Sequence, residues 1–289
     1  MKIAAFTFVR NAIKYEYPIL ESISSILPIV DQYIIAVGKS EDDTLALIQS
    51  INSPKIKIIE TVWDDTLREG GRVLAVETDK ALAEITKDFD WAFYLQADEV
   101  VHEKDHPAIL QACEKFKNDK SIEGLLFKYI HFYGTYQWIG SSRKWYRNEI
   151  RIIRPGIGIS SYRDAQGFRK HGSKLMVRPI DANIYHYGWV KHPRAQQLKQ
   201  ETFNKLWHDD HWVKTNVAAV EEFDYSNAGI LAPFRGTHPA VMQARLNDVT
   251  WPFTFDVTKV KISLKERISA FIEKLSGWRF GEYKNYKIR

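Results

Sequence analysis

Polar side chains follow four apolar segments in the first half of the chain, at the points where each segment ends. The four polar loops are residues 10–11, 41–44, 63–65 and 96–99. In an open parallel sheet, ligands bind beyond the carboxyl ends of the strands, where such loops meet. We therefore predict a ligand site at one edge of a sheet, with Arg10, Asn11, Asp42 and Asp43 among the side chains that contact a bound cofactor or substrate.

The sequence lacks the two commonest loops that hold phosphate groups. No Gly-x-Gly-x-x-Gly follows the first apolar segment, and no complete P-loop occurs in the chain. A nucleotide bound here needs its phosphates neutralised in another way. Mg²⁺ or Mn²⁺ held by carboxylates is the expected means, because these ions prefer oxygen ligands and bridge carboxylates to phosphates.

The elements that position these loops follow from the apolar pattern. Apolar runs at residues 2–8, 32–37, 56–62 and 91–95 predict strands, and the spacing of apolar residues predicts helices over 44–51 and 71–85. This alternation is typical of βαβ units. No linker or repeat divides the chain, so we predict one continuous α/β domain with a mixed, mainly parallel sheet flanked by helices.

The second half of the chain is less regular than the first. Arg, Trp, His and Gly cluster between residues 138 and 193, and we place the boundary between the two halves at about residue 130. Near the end, an apolar stripe at helical spacing predicts an amphipathic helix. The stripe consists of Leu264, Ile268, Phe271, Ile272 and Leu275. The helix is expected to pack on its own protein, and the aromatic and basic tail after it also allows weak association with a membrane surface.

Composition sets limits on the class of protein. Of 289 residues, 45% are hydrophobic and 27% are charged, and the net charge is +5, a balance that fits a folded protein and excludes a disordered one. The single cysteine, Cys113, excludes an intramolecular disulfide and a cysteine-built metal site, and is expected in the core. No apolar run approaches the roughly 20 residues of a membrane-spanning helix. A cytoplasmic location is the expectation.

Several segments together resemble family 2 glycosyltransferases of the GT-A fold. DWAFYLQADEVVHE is similar to the strand and acidic loop of that family, and AVGKSEDDT resembles its second-strand loop. REGGRVLAVETDKAL resembles its donor-side helix, while HYGWVKHP and GTHPAVMQARL resemble segments of its bacterial members. The resemblance implies a GT-A-like sheet whose first half, residues 1–130, binds a nucleotide-sugar and whose second half, residues 131–289, binds the acceptor.

The resemblance also implies a metal site. The family's acidic loop usually reads Asp-x-Asp, and the matching positions here are Gln96 and Asp98. Asp98 is therefore the expected metal ligand, and the neutral Gln96 is expected to hydrogen-bond a ribose hydroxyl or a metal-bound water. A further ligand from the second half is expected at His186, with His192 as second choice. Gly38 stands near the family's usual acidic contact to uracil, which leaves the base unidentified.

Two carboxylates are candidates for the general base that the family's inverting reaction requires. Asp164 lies in the loop SSYRDAQGF, in the region where the family places this group, and Glu99 is the second candidate. Arg72 follows Gly70 and Gly71 at the start of a predicted helix, where an anion is favoured. We assign it to donor binding, although a plain turn into the helix explains the same residues.

The sequence thus predicts a hexosyltransferase-like enzyme that moves a sugar from a nucleotide-sugar donor to a hydroxyl of a glycan or cell-surface polysaccharide. The expected reaction is inverting and dependent on Mn²⁺ or Mg²⁺. Two alternatives remain open. One is a sugar nucleotidyltransferase, although the loop VRNAIKYEYP lacks that class's glycines. The other is a non-catalytic glycan- or nucleotide-binding protein. A nucleic-acid partner is not expected, because the basic run at residues 143–154 is short.

Overall fold

The computed structural model describes residues 1–227, 229–253, 272, 273, 275, 276, 279 and 282–289. The strands are β1 (Ile3–Val9), β2 (Gln32–Gly38), β3 (Ile56–Thr61), β4 (Trp91–Tyr94), β5 (Glu99–Val101), β6 (Gly124–Tyr133), β7 (Thr135–Gly140), β8 (Asn148–Ile153), β9 (Ile159–Tyr162), β10 (Gly167–Lys170), β11 (Ser173–Lys174), β12 (Met176–Trp189), β13 (Leu231–Pro233) and β14 (Lys287–Ile288). The α-helices are α1 (Ile19–Ile26), α2 (Thr44–Gln49), α3 (Arg72–Ala83), α4 (His106–Phe116), α5 (Pro193–Lys205), α6 (Asp210–Asn216) and α7 (Gln243–Asn247).

Four strands of the first half form a parallel unit in the order β3-β2-β1-β4. Phe6 of β1 pairs with Ile34 of β2 on one side and with Tyr94 of β4 on the other. The carboxyl ends of these strands therefore meet at one edge of the sheet. The four strands predicted from the apolar runs, and the helices predicted over 44–51 and 71–85, are confirmed.

The same sheet continues beyond β4 with a change of direction. β8, β6, β7 and β13 follow in antiparallel order. The long strand β12 then runs parallel to β6 and antiparallel to the short strand β5, which places His186 opposite both His131 and Glu99. The predicted mixed α/β sheet flanked by helices is confirmed.

Both faces of the parallel strands are buried. Alternate residues of β1 and β2, such as Ala5 and Ile35, pack under α1 and α4, whereas Phe6 and Ile34 pack under α3. Burial on both faces explains why these strands are continuous apolar runs rather than alternating ones. Cys113 of α4 is fully buried in the first of these clusters, as predicted.

The amphipathic helix predicted near the end of the chain lies mostly outside the described residues. Of its apolar stripe the structure describes Ile272 and Leu275, which are both exposed. Across the described part of the chain, every helix is too short or too polar to cross a membrane.

Candidate active site

A cavity of about 640 Å³ opens at the carboxyl ends of β1 and β4 and is covered on one side by α5. This size is typical of a pocket for a small molecule. Its lining includes the predicted site residues Arg10, Asn11, Gln96, Asp98, Asp164 and His186. The sequence therefore located the edge of the sheet at which a cavity forms.

The end of β1 is fastened to neighbouring loops by Arg10 and Asn11. Arg10 donates to Asp65 at 2.9 Å, and its guanidinium lies 5.5 Å from the Trp63 ring centroid. Asn11 adopts a left-handed conformation with φ of 56°, and its side-chain oxygen accepts from the Glu41 amide at 2.8 Å. Both side chains line the cavity, and the bonds hold this wall in place.

Asp42 and Asp43 do not line the cavity, contrary to the expectation that they contact the ligand. The Asp42 carboxylate accepts from the backbone amides of Lys14 and Thr44 at 2.7 and 3.1 Å, so it joins two loops. Asp43 is exposed. The acidic residue of this loop that reaches the cavity is Glu41, which pairs with Lys14 at 2.6 Å. Arg72 is likewise exposed and outside the lining.

Asp98 lies in the cavity lining beside Lys199 and His186. Its Oδ2 accepts from Lys199 Nζ at 3.1 Å, and its Oδ1 lies 3.8 Å from His186 Nε2. Gly188 permits this approach, since a Cβ there would lie 2.7 Å from Asp98 Oδ2. Burial alone would raise the pKa of Asp98, but neighbouring positive charge, that of Lys199 foremost, outweighs burial and holds the pKa well below its usual range. Asp98 is therefore a carboxylate at neutral pH.

His186 is held by a second histidine behind it. The Tyr146 carbonyl can only accept, so Nε2 of His131 donates to it at 2.8 Å. Burial, followed by the neighbouring His186, lowers the pKa of His131 to about 3, so the ring is neutral and its Nδ1 is an acceptor. His186 Nδ1 must then donate across the 3.1 Å contact. Burial lowers the pKa of His186, so this ring is also neutral and its Nε2, the nitrogen nearest Asp98, carries no proton.

The donor set at this point fits a divalent cation that also binds a phosphate ligand. Within the described residues, no three His, Cys, Asp or Glu side chains cluster to hold a metal by themselves. Asp98 and His186 offer one carboxylate oxygen and one unprotonated nitrogen. Mg²⁺ keeps several waters and commonly takes only one or two protein ligands besides phosphate oxygens, so two protein ligands are sufficient. Gln96 has less capacity to bind a metal-bound water or a ribose, because its side-chain amide nitrogen already contacts Tyr94 Oη and the Ala165 carbonyl at 3.3 Å each.

Glu99 is not available as a base, and the structure corrects that expectation. Its carboxylate is fully buried and pairs bidentately with the fully buried Arg151 at 2.8 Å in each contact. Tyr129 Oη donates to the same carboxylate at 2.6 Å, and the backbone amide of Gln96 donates to it at 3.1 Å. Glu99 lies outside the cavity lining and cannot reach an acceptor hydroxyl. Its role is to hold the acidic loop.

Asp164 lies in a loop that the sheet holds firmly. The residues on either side, Arg163 and Ala165, have φ values of 57° and 62°, a conformation that persists only where surrounding contacts impose it. Arg151 Nη1 donates to the Gln166 carbonyl at 2.9 Å. Burial raises the pKa of Asp164 above its ordinary value. Asp164 therefore presents to the cavity a carboxylate of increased basicity.

The residues that sequence reasoning missed lie mainly on α5. Gln196, Lys199, Gln200 and Phe203 line the cavity from one face of this helix. Their spacing of i, i+3, i+4 and i+7 is the signal that could have identified them, since it places a mixed polar and aromatic stripe on one helix face. Lys191 was also missed; it is buried, and its Nζ donates to the Tyr15 carbonyl at 2.7 Å.

One end of the cavity is aromatic and apolar. Phe8 and Trp63 contact each other with ring centroids 5.7 Å apart, and Phe203 and Leu206 pack in the same cluster. Gly38 makes room for this arrangement, because a Cβ there would lie 2.3 Å from Trp63 Nε1. The position that the family resemblance marks for an acidic residue is thus covered by an indole ring.

Comparisons with known proteins place the chain near several solved structures. Comparisons with protein-family models and with curated proteins gave no match. The chain is similar to S. aureus TarS, with 15% identity and a TM-score of 0.40, over 70% of this chain and 39% of that one. It is similar to TarS 1–349 in complex with UDP, with 13% identity, a TM-score of 0.41, and coverage of 76% and 68%.

The chain is also similar to a protein of Mycobacterium tuberculosis. It is glucosyl-3-phosphoglycerate synthase in complex with Mn²⁺, UDP-glucose and phosphoglyceric acid, with 20% identity, a TM-score of 0.30, and coverage of 46% of this chain and 44% of that one. The present chain thus spans less than half the length of this protein and of the first TarS chain. The ligands are those of the matched proteins.

Proposed function

We propose that the protein is a glycosyltransferase that moves a sugar from a nucleotide-sugar donor to a hydroxyl of a glycan acceptor. The observation that carries the proposal is the convergence of Asp98, Lys199 and His186 in the lining of a cavity of about 640 Å³. The family resemblance of the acidic loop points to the same chemistry. The reaction is a single displacement at the anomeric carbon, with inversion.

The cavity offers separate surroundings for the parts of the donor. The aromatic end at Phe8 and Trp63 suits a nucleobase, because flat rings stack and bury apolar area. Lys199 and the paired cations Arg10 and Lys14 line the path of a diphosphate. A lysine ammonium contributes positive charge to phosphate oxygens as they become a leaving group.

Asp98 and His186 would hold a divalent cation, Mn²⁺ or Mg²⁺, against the diphosphate. When bound, the ion would supply further positive charge that stabilises the leaving nucleoside diphosphate. The hydrogen bond that His186 Nδ1 donates to His131 Nδ1 keeps the Nε2 lone pair directed toward this point. Only 13% of each side chain is exposed, so most of its surface is covered by protein.

Asp164 is the proposed general base. It accepts the proton of the acceptor hydroxyl as that oxygen bonds to the anomeric carbon, and the glycosidic oxygen of the donor leaves with the diphosphate. The raised pKa of Asp164, caused by burial, makes its carboxylate a stronger base than an ordinary aspartate. Its loop is fixed through Arg151, so the carboxylate does not have to be ordered during the reaction.

The experiment measures donor binding and turnover in the same samples. Thermal shift against nucleoside diphosphates and sugar-nucleotides, with Mn²⁺ or with EDTA, identifies the base, since a ligand specific to the folded state raises Tm. Release of nucleoside diphosphate from the sugar-nucleotide, with and without glycan acceptors, then measures transfer. Release of pyrophosphate from a triphosphate would identify a nucleotidyltransferase instead.

Three carboxylate variants separate the proposed roles. Asp98→Asn is expected to lose the Mn²⁺-dependent part of nucleoside diphosphate binding. Asp164→Asn is expected to bind normally and to lose at least 100-fold in transfer, the usual contribution of a general base. Asp43→Asn is the matched control, because Asp43 is exposed and outside the cavity. Full transfer by Asp98→Asn, or equal losses in all three variants, would refute the proposal.

A further inference from the structure

One face of α5 changes chemistry along its length. Phe203, the pair Lys199 and Gln200, and then Gln196 follow one another at steps of three or four residues, and all line the cavity. At 1.5 Å per residue, Gln196 and Phe203 lie about 10 Å apart along the helix axis. A single extended ligand can therefore contact the whole face at once.

Phe203 and Lys199, which lie nearer the carboxyl end of α5 than Gln196 does, match two parts of a nucleotide-sugar. Phe203 packs with Trp63 and Phe8 at the aromatic end, which the proposed function gives to the base. One turn earlier, Lys199 donates to Asp98 at 3.1 Å and to the Gly188 carbonyl at 3.2 Å, which marks the level of the diphosphate. The group that continues beyond the diphosphate in such a donor is the sugar.

Gln196 lies one further turn toward the start of α5, next to the level assigned to the sugar. Its side chain is fully buried, and neither its amide oxygen nor its amide nitrogen finds a hydrogen-bond partner among the described residues. A buried amide without partners costs free energy that a folded protein normally avoids. The adjacent Gln197 shows the contrast, because its amide nitrogen donates to Glu201 at 3.0 Å and to the Ala218 carbonyl at 2.7 Å.

We infer that α5 binds the donor along its length and that Gln196 is the sugar-recognition residue, with its amide hydrogen-bonded to hydroxyl groups of the transferred sugar. An amide offers a donor and an acceptor side by side, which matches two neighbouring hydroxyls of a pyranose. This inference rests on the proposed function for the identity of the donor. It adds the residue that distinguishes a sugar-nucleotide from the bare nucleoside diphosphate.

The test compares Gln196→Met with Gln197→Met by calorimetric titration. The probes are UDP, GDP and ADP, and UDP-glucose, UDP-N-acetylglucosamine, GDP-mannose and ADP-glucose, each with Mn²⁺. For the base that the wild type prefers, Gln196→Met should weaken sugar-nucleotide binding about 10-fold, the loss of one or two hydrogen bonds, and leave nucleoside diphosphate binding unchanged.

Stability gives an independent readout. Gln196→Met keeps the side-chain volume and removes two groups without partners, so the Tm of the ligand-free protein should stay constant or rise. Gln197→Met removes two hydrogen bonds and should lower Tm while leaving the ratio of the two affinities unchanged. If Gln196→Met binds both ligands as the wild type does, only the assignment of Gln196 is overturned. If the wild type binds no nucleoside diphosphate, the proposed function is overturned as well.

Discussion

Replacing Glu99 with Gln tests whether the buried ion pair behind the cavity holds the site together. In the wild type, both Glu99 and Arg151 are fully buried and share two contacts of 2.8 Å. In Glu99→Gln the guanidinium keeps its charge without a counter-ion, and the amide nitrogen of the new side chain faces guanidinium donors. Removing one partner of a buried pair typically costs about 3–5 kcal/mol.

That free energy corresponds to a large fall in Tm. For domains of 150–250 residues each kcal/mol is worth about 2–4 °C, so the expected fall is about 6–20 °C, and the greater length of this chain favours the lower half of that range. Differential scanning calorimetry of the wild type, Glu99→Gln, Arg151→Met and the double variant measures it. The double variant should be more stable than the sum of the single losses predicts, because the pair couples the two sites.

An exposed pair provides the control for the calorimetry. Glu222 pairs with Arg194 at 3.1 Å, a contact nearly as short as the buried one, but both side chains are more than half exposed. Glu222→Gln should leave Tm almost unchanged, since solvent screens such pairs. A Tm of Glu99→Gln within about 2 °C of the wild type would refute the assignment of Glu99 to a structural role.

Three further predictions concern backbone strain, pH and thiol reactivity. Gly71 and Gly70 have φ values of 70° and 60°, but only at Gly71 would an added Cβ meet a neighbour, the Asp164 Cβ at 2.9 Å. Gly70→Ala should therefore lose about 1–2 kcal/mol in chemical denaturation from the left-handed backbone alone, whereas Gly71→Ala should lose more and should also lose transfer activity; equal activities would contradict this. Burial raises the pKa of Glu149 to about 7 from an ordinary 4.5, so the folded state retains a proton that the unfolded state loses, and its contribution to stability falls as pH rises through that window. Glu149→Gln should consequently raise Tm more at pH 8 than at pH 4.5, and a pH-independent effect would exclude this cause. Burial raises the pKa of the Cys113 thiol to about 12, so a thiol reagent should leave the native protein unmodified at pH 8 and label it once in denaturant.

The sequence predicted the parallel part of the fold because that part depends on local pattern. The apolar runs at β1, β2, β3 and β4 are continuous since both faces of these strands are buried, and the polar loops mark where each run ends. The rule that such loops meet at one sheet edge was enough to place Arg10, Asn11 and Asp98 around one cavity. His186 required in addition the family resemblance, since nothing in its local sequence distinguishes it from the other histidines.

Three sequence-based expectations were wrong for reasons that lie in packing. Glu99 is adjacent to Asp98, but Asp98 lines the cavity, whereas the carboxylate of Glu99, the first residue of β5, pairs with the buried Arg151. Arg72 was assigned to donor binding, whereas its side chain is exposed and lies outside the cavity lining. The Asp42 carboxylate already accepts hydrogen bonds from the backbone amides of Thr44 in its own loop and of Lys14 in the neighbouring loop.

What the sequence determined by itself was the order of strands and helices in the parallel half, the sheet edge at which the cavity opens, and the presence of an acidic loop there. These follow from periodicity and from residue types over short stretches of chain. Only the tertiary structure decided which charges meet, because partners such as Asp98 and Lys199 are separated by 101 positions in the chain. Burial and approach distance, not residue type, made Asp98 a paired carboxylate, Glu99 a structural anchor and Gln196 an amide without partners.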